Sequence, residues 1–198
     1  MMRRLSIFAA ISSVVFGLAG AVAAHPDIAA SVRLIFALEG TRLTGLTERL
    51  AFDAATSARL LARFDADRDG VLSDAEVSLL ADELLPRLAE RNAYTELRLD
   101  GRSLSLPEPA ISDLQLHDGY LGLRLEYRFP EQPEIRASTL GVLLRDRDLV
   151  IAFRPDPTMP AIITPDVEGA CSTSIEARPD EAYFGGLVTP SLVTLTCR

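Results

Sequence analysis

Twelve residues from Asp65 to Glu76 place oxygen donors at a spacing suited to a hard divalent cation. In a calcium loop of the EF-hand type, positions 1, 3 and 5 supply carboxylates, 7 a backbone carbonyl, 9 a hydroxyl or a water, and 12 a bidentate glutamate. Those positions fall on Asp65, Asp67, Asp69, Val71, Ser73 and Glu76. Gly70 stands at position 6, where the chain turns through a backbone geometry that a side chain makes costly, and Leu72 at position 8 is an apolar anchor. The same residues admit a plainer reading as a polar link between two helices, with Asx turns from the aspartates and a capping box from Ser73 and Glu76. That reading accounts for Ser73 and Glu76. It leaves three carboxylates crowded at alternate positions with no counter-charge, which like-charge repulsion opposes. Calcium, bound by these six residues, is therefore the expected cofactor.

Other residues with chemical potential are few. The chain has two histidines and two cysteines. His25 would be the first residue of a chain cut after Ala24, and its amine and ring together suit copper, nickel or cobalt. This makes a transition-metal carrier the second functional reading, although Pro26 and Asp27 offer no further ligand of that kind. His117, just before Asp118-Gly119, reads as an exposed hairpin residue. Cys171 and Cys197 are expected to pair as a disulfide in an oxidising compartment, since a thiol metal site would need more sulfur or imidazole partners than the sequence holds. No Gly-x-Ser-x-Gly elbow, His-Glu-x-x-His motif or phosphate-binding glycine loop occurs. A non-enzymatic protein is expected, with a hydrolase built on a carboxylate pair as the third reading.

The first residues set the compartment. Arg3 and Arg4 precede an apolar run from Leu5 to Leu18, and small residues from Ala19 to Ala24 lead into His25-Pro26. This is the layout of a secretory signal peptide over residues 1–24, with cleavage after Ala23 or Ala24, and an uncleaved anchor is the competing reading. The expected location is periplasmic or secreted, with no membrane span after cleavage. A formal net charge of −8 argues against nucleic acid as a partner.

The elements that would position the acidic loop follow from periodicity. Ile28 to Phe52 reads as two strands joined near Glu39-Gly40. Asp53 offers an N-cap to a helix over 54–64 with Ala58, Leu61 and Phe64 on one face. A second helix from Asp74 to Asn92 carries Val77, Leu80, Leu84 and Leu88, with a kink or early end near Pro86. Beyond Ala93 the period becomes two, with hairpins turning at Asp100-Gly101 and Asp118-Gly119 and a third joining Leu140–Leu144 to Leu149–Phe153. Arg154 to Pro165 reads as loop, and closing strands lie near Ser172–Ala177 and Leu187–Thr196. The fold class is α+β: an antiparallel β-rich sandwich or barrel-like sheet, one domain over residues 25–198, with a helix-loop-helix inserted at 53–92.

The mature start at His25-Pro26, the early strand pair, the acidic Asp65 to Glu76 stretch between helices, the Leu97 to Gly101 hairpin and the C-terminal cysteine resemble the domain of unknown function 1007 family of exported bacterial proteins. The resemblance covers nearly the whole mature chain. It implies a periplasmic accessory of divalent-metal transport, with an inner-membrane nickel or cobalt transporter as partner. Family members often begin His-Pro-His, whereas Asp27 stands third here, which separates this chain from a histidine-based nickel or cobalt site. The acidic loop is untouched by that difference, and its oxygen donors suit calcium.

Overall fold

Alternate apolar side chains make the first hairpin one-sided. In β1 (Ile28–Glu39) Val32, Leu34, Phe36 and Leu38 are buried, and in β2 (Arg42–Phe52) Leu43, Leu46, Leu50 and Phe52 are buried against the same core. The two strands pair from Ala30↔Phe52 to Glu39↔Arg42 around Gly40, with a bulge at Ala37/Leu38 that explains the less regular pattern of the second arm. This computed structural model describes residues 28–117, 119–148, 150–165, 170–183 and 186–198. The expected signal peptide and His25 lie outside the described residues, as do Asp118 of an expected turn and Leu149, the first residue of an expected strand.

Two helices follow β2: α1 (Ala54–Phe64) and α2 (Asp74–Glu90). The remaining strands are β3 (Thr95–Leu99), β4 (Arg102–Leu104), β5 (Ala110–His117), β6 (Tyr120–Arg128), β7 (Thr139–Leu144), β8 (Ile151–Pro155), β9 (Ala161–Thr164), β10 (Cys171–Ala177) and β11 (Ser191–Cys197). They form two sheets. The first runs β5-β6-β2-β1-β8 with β9 also on β1, and the second runs β10-β11-β7-β3-β4. Side chains from both enter one core, so the architecture is an α+β sandwich rather than a closed barrel.

Three expectations are corrected. The first concerns the third hairpin: β7 stays in the second sheet between β11 and β3, while β8 pairs with β1 in parallel, Ile28↔Ile151 to Val32↔Pro155. The switch is made by Asp146, buried, whose carboxylate accepts the amides of Asp148, Val150 and Ile151 and bends the chain from one sheet to the other. The second is that the segment read as loop contains β9, parallel to β1 from Leu34↔Ala161 to Ala37↔Thr164, so the first sheet is mixed and not purely antiparallel. The turn before it is fixed by Asp156, which accepts amides from Thr158 and Met159 and an ion pair from Arg33 at 2.8 Å. The third is that α1 turns Thr56, Ser57, Leu60 and Phe64 inward and leaves Ala58 exposed. In α2 the expected face holds, and the helix continues past Pro86 to Glu90 with Pro86 and Asp82 both on the exposed side, where a carbonyl without its helical partner is least costly.

The disulfide between Cys171 and Cys197 joins directly opposed residues of β10 and β11. A titratable side chain also lies in the core: Glu48 on β2 is fully buried. Its Oε1 accepts the Thr95 hydroxyl of β3 at 2.7 Å, a bond between the sheets, whereas Oε2 and the nearby Tyr127 hydroxyl find no acceptor or donor among the described residues. Burial lifts the Glu48 carboxyl from 4.5 to about 7, against the pull of the Thr95 hydroxyl. A carboxyl raised by folding leaves stability intact below pH 4.5 and withdraws it as pH climbs to about 7. Glu48→Gln is expected to match wild type near the lower limit and to exceed it by up to roughly 3 kcal/mol above the upper one, read by urea unfolding at both pH values. A variant no more stable than wild type on the alkaline side would contradict this.

Candidate metal centre

The acidic loop is positioned by its two helices. Asp53 starts α1 by accepting the Thr56 amide at 2.6 Å on Oδ1, and its Oδ2 takes the Ala29 amide of β1 at 3.1 Å, so the helix is tied to the hairpin that precedes it. Ser57 accepts the Leu121 amide at 2.8 Å and seats α1 on β6. Asp65 caps the other end, its amide donating to Leu61. On the far side Ser73 is the N-cap of α2 and Glu76 its third residue. Glu83 of α2 bridges back to Arg63 of α1 at 2.6 Å and to Arg87 at 3.2 Å. Leu72 packs on the core between them, as expected of the apolar anchor.

Between the caps the chain reverses through two left-handed residues, Arg68 at φ 62° and Gly70 at φ 85°. A Cβ on Gly70 would meet nothing within 4 Å, so glycine is needed there for backbone geometry alone. The reversal folds loop amides onto the aspartates. Asp65 accepts the Asp69 amide at 3.2 Å on one oxygen and the Gly70 amide at 2.9 Å on the other. Asp67 accepts the Asp69 amide at 3.2 Å, and Asp69 the Val71 amide at 2.8 Å. These are the Asx turns of the plainer reading, and they aim carboxylates into the concave side of the bend.

One carboxylate oxygen each from Asp65, Asp67 and Glu76 lies within 4.8 Å of the other two. The sequence-predicted residues thus divide. Asp65, Asp67 and Glu76, at the first, third and last positions, are brought together. Asp69 is turned to the Val71 amide, and the Ser73 hydroxyl donates to Glu76 Oε2 at 2.8 Å. Glu76 also accepts the Ser73 amide at 2.9 Å and, through Oε1, the Ala66 amide at 2.6 Å. The capping interaction and the ligand cluster therefore share one carboxylate. His25 lies outside the described residues, and His117 ends β5 opposite Tyr120.

The electrostatics follow from these contacts. The Ser73 amide and hydroxyl and the Ala66 amide hold Glu76 below its ordinary value, so it is ionised at neutral pH. For Asp67 the Asp69 amide pulls down, but partial desolvation and the Asp69, Asp65 and Glu76 carboxylates outweigh it and leave the group above its ordinary 3.8. Crowded hard oxygens of this kind suit a hard cation rather than a soft metal.

Two features were missed from sequence. Glu48 falls on the inward face of β2 in step with Leu46, Leu50 and Phe52, so the alternation of the strand is the signal that could have found it, and the second sheet covers it there. On the outer side of the second sheet, Arg98 and Arg145 join Glu96 and Glu181 in an ion-pair network, with Arg98 to Glu181 at 2.7 Å. Its members lie as far apart as residues 96 and 181, so no local pattern announces it.

In calcium-free protein, Asp67→Asn is expected to raise the melting temperature at neutral pH by removing one member of the crowded cluster. The raised group penalises folding when ionised, so the gain must vanish as pH falls through the carboxylate range. Scanning calorimetry at both pH values measures it, and a lower melting temperature at neutral pH would contradict the repulsion.

A family model described as Protein of unknown function (DUF1007) matches residues 10–185. No curated protein matches the chain.

Proposed function

We propose, because the chain belongs to the DUF1007 family and brings three loop carboxylates to one point, that it is a non-enzymatic exported protein that binds calcium at residues 65–76. The observation that supports this reading is the convergence of Asp65, Asp67 and Glu76 within 4.8 Å around a turn closed by Gly70 at φ 85°. Asp65, Asp67 and Glu76 supply carboxylates, Val71 its carbonyl, and Asp69 and Ser73 complete the shell directly or through water. Glu76 exchanges part of its capping role for coordination when the ion binds. Because α1 and α2 are each anchored to the sheets, the ion acts as a clamp between two fixed helix ends rather than as the trigger of a large opening. Dissociation constants of about 10⁻⁴ to 10⁻³ M are sufficient outside the cytosol, where calcium is abundant. The resemblance set out above adds an accessory role beside an inner-membrane divalent-metal transporter.

Calorimetric titration of chelator-treated protein with calcium is expected to give a single binding event. Asp65→Ala and Glu76→Ala should each weaken it at least tenfold, about 1.4 kcal/mol. By mass action, calcium at a hundred times its dissociation constant should add about 2.7 kcal/mol to the stability of wild type. Equal heats from wild type and both variants would overturn the assignment.

A further inference from the structure

The outer face of the first sheet carries a row of like charges that the fold does not require. Arg33 of β1 lies opposite Arg49 of β2, Arg49 opposite Arg124 of β6, and Arg124 opposite Asp113 of β5. Neighbouring strands are about 4.8 Å apart, and like charges directly opposite destabilise a sheet. Three in a row in a chain of net charge −8 call for a counter-charge. Only Arg33 has one, engaged with Asp156 at 2.8 Å and with the Met159 carbonyl at 2.9 Å. Among the described residues no carboxylate comes within ion-pair distance of Arg49 or Arg124, and Nε of Arg124 is buried without an acceptor. That unpaired donor is costly to the fold and lies out of a ligand's reach, and the terminal nitrogens of the same guanidinium are the groups that can meet an oxyanion.

These side chains line a recess of about 310 Å³ whose floor is made by Ala51 and Gly122. A Cβ at Gly122 would meet only ordinary contacts, 3.7 Å from the Gln115 carbonyl and 4.0 Å from that of Leu50. Packing therefore does not require glycine there, and its presence keeps the floor clear between the arginines. The volume suits a small molecule. The lining carries three guanidiniums and the carboxylates of Asp113 and Asp156, and the planar forks of Arg49 and Arg124, neither of them within ion-pair distance of an acid among the described residues, suit bidentate oxyanion recognition.

We propose that this recess binds a phosphate dianion, free or as the monoester of a small molecule, between Arg49 and Arg124, with Arg33 and Asp156 as its fixed wall. This site is independent of the acidic loop. Titration calorimetry on the full mature chain in calcium-free buffer, at a pH where phosphate is doubly charged, tests it with inorganic phosphate, glycerol phosphate and acetate. Wild type should bind phosphate, with acetate at least tenfold weaker. Arg49→Gln and Arg124→Gln should each weaken phosphate at least tenfold, while Arg128→Gln on the same strand and Asp65→Ala in the loop should leave it unchanged. Tighter binding of glycerol phosphate assigns an ester as the ligand, and equal or weaker binding assigns free phosphate. The proposal is overturned by no phosphate or glycerol phosphate heat from wild type, by undiminished binding in both glutamine variants, or by acetate binding as well as phosphate. A melting temperature of ligand-free Arg124→Gln far below wild type would also overturn it, since it would assign the row to the scaffold.

Discussion

Burial of alternate side chains along the Ile28–Phe52 hairpin sets the plane on which the other elements assemble. Phe36, Leu34 and Leu46 are sealed inside, and the same strand pair offers β1 as an open edge to β8 and β9 and β2 as an edge to β6. Parallel partners on β1 oblige the chain after β7 to leave the second sheet and cross to the first, so this one hairpin holds both layers in register. A one-residue slip would send every inward side chain to solvent. The acidic loop inherits its place from the same source: β2 ends at Phe52, Asp53 bonds back to β1 and forward to α1, and the loop begins where α1 stops.

Within that frame the loop is a balance between crowding and anchoring. Amides of Asp69, Gly70, Val71, Ser73 and Ala66 each give a hydrogen bond to a carboxylate and hold it in the bend. Hydrogen bonds to an ionised acceptor are stronger than neutral ones, and they offset repulsion that would otherwise spread the acids apart. The result is a preorganised cluster of hard donors. Its arrangement also explains why Glu76 serves two tasks, since one carboxylate at the start of α2 both caps the helix and faces Asp65 and Asp67.

Local chemistry was legible in the sequence wherever a motif is short. The Asp65 to Glu76 spacing, the Asp53 cap, the Asp100-Gly101 turn and the inward face of α2 all follow from neighbours within one or two turns of chain. Parallel pairing was not legible, because β8 and β9 carry no local mark of the strand they join and a run such as Leu140 to Phe153 looks like a hairpin until Asp146 is seen drawing three amides onto itself. The same blindness hid the arginine row, which depends on which strands are neighbours, and register across a sheet is set by the whole core rather than by the segment. Glu48 differs, since it stands at an inward position that the alternation of Leu46, Leu50 and Phe52 marks within its own strand. At the loop, the sequence indicated four carboxylates and the structure gathers three of them, because Asp69 is turned to the Val71 amide.

The most direct measurement is a crystal structure of the protein grown in millimolar calcium. Calcium binding at the loop requires one ion with oxygen ligands from Asp65, Asp67, Glu76 and the Val71 carbonyl at about 2.3 to 2.6 Å. A loop holding only water, with Glu76 still bonded to Ser73 and Ala66 as it is here, would contradict it.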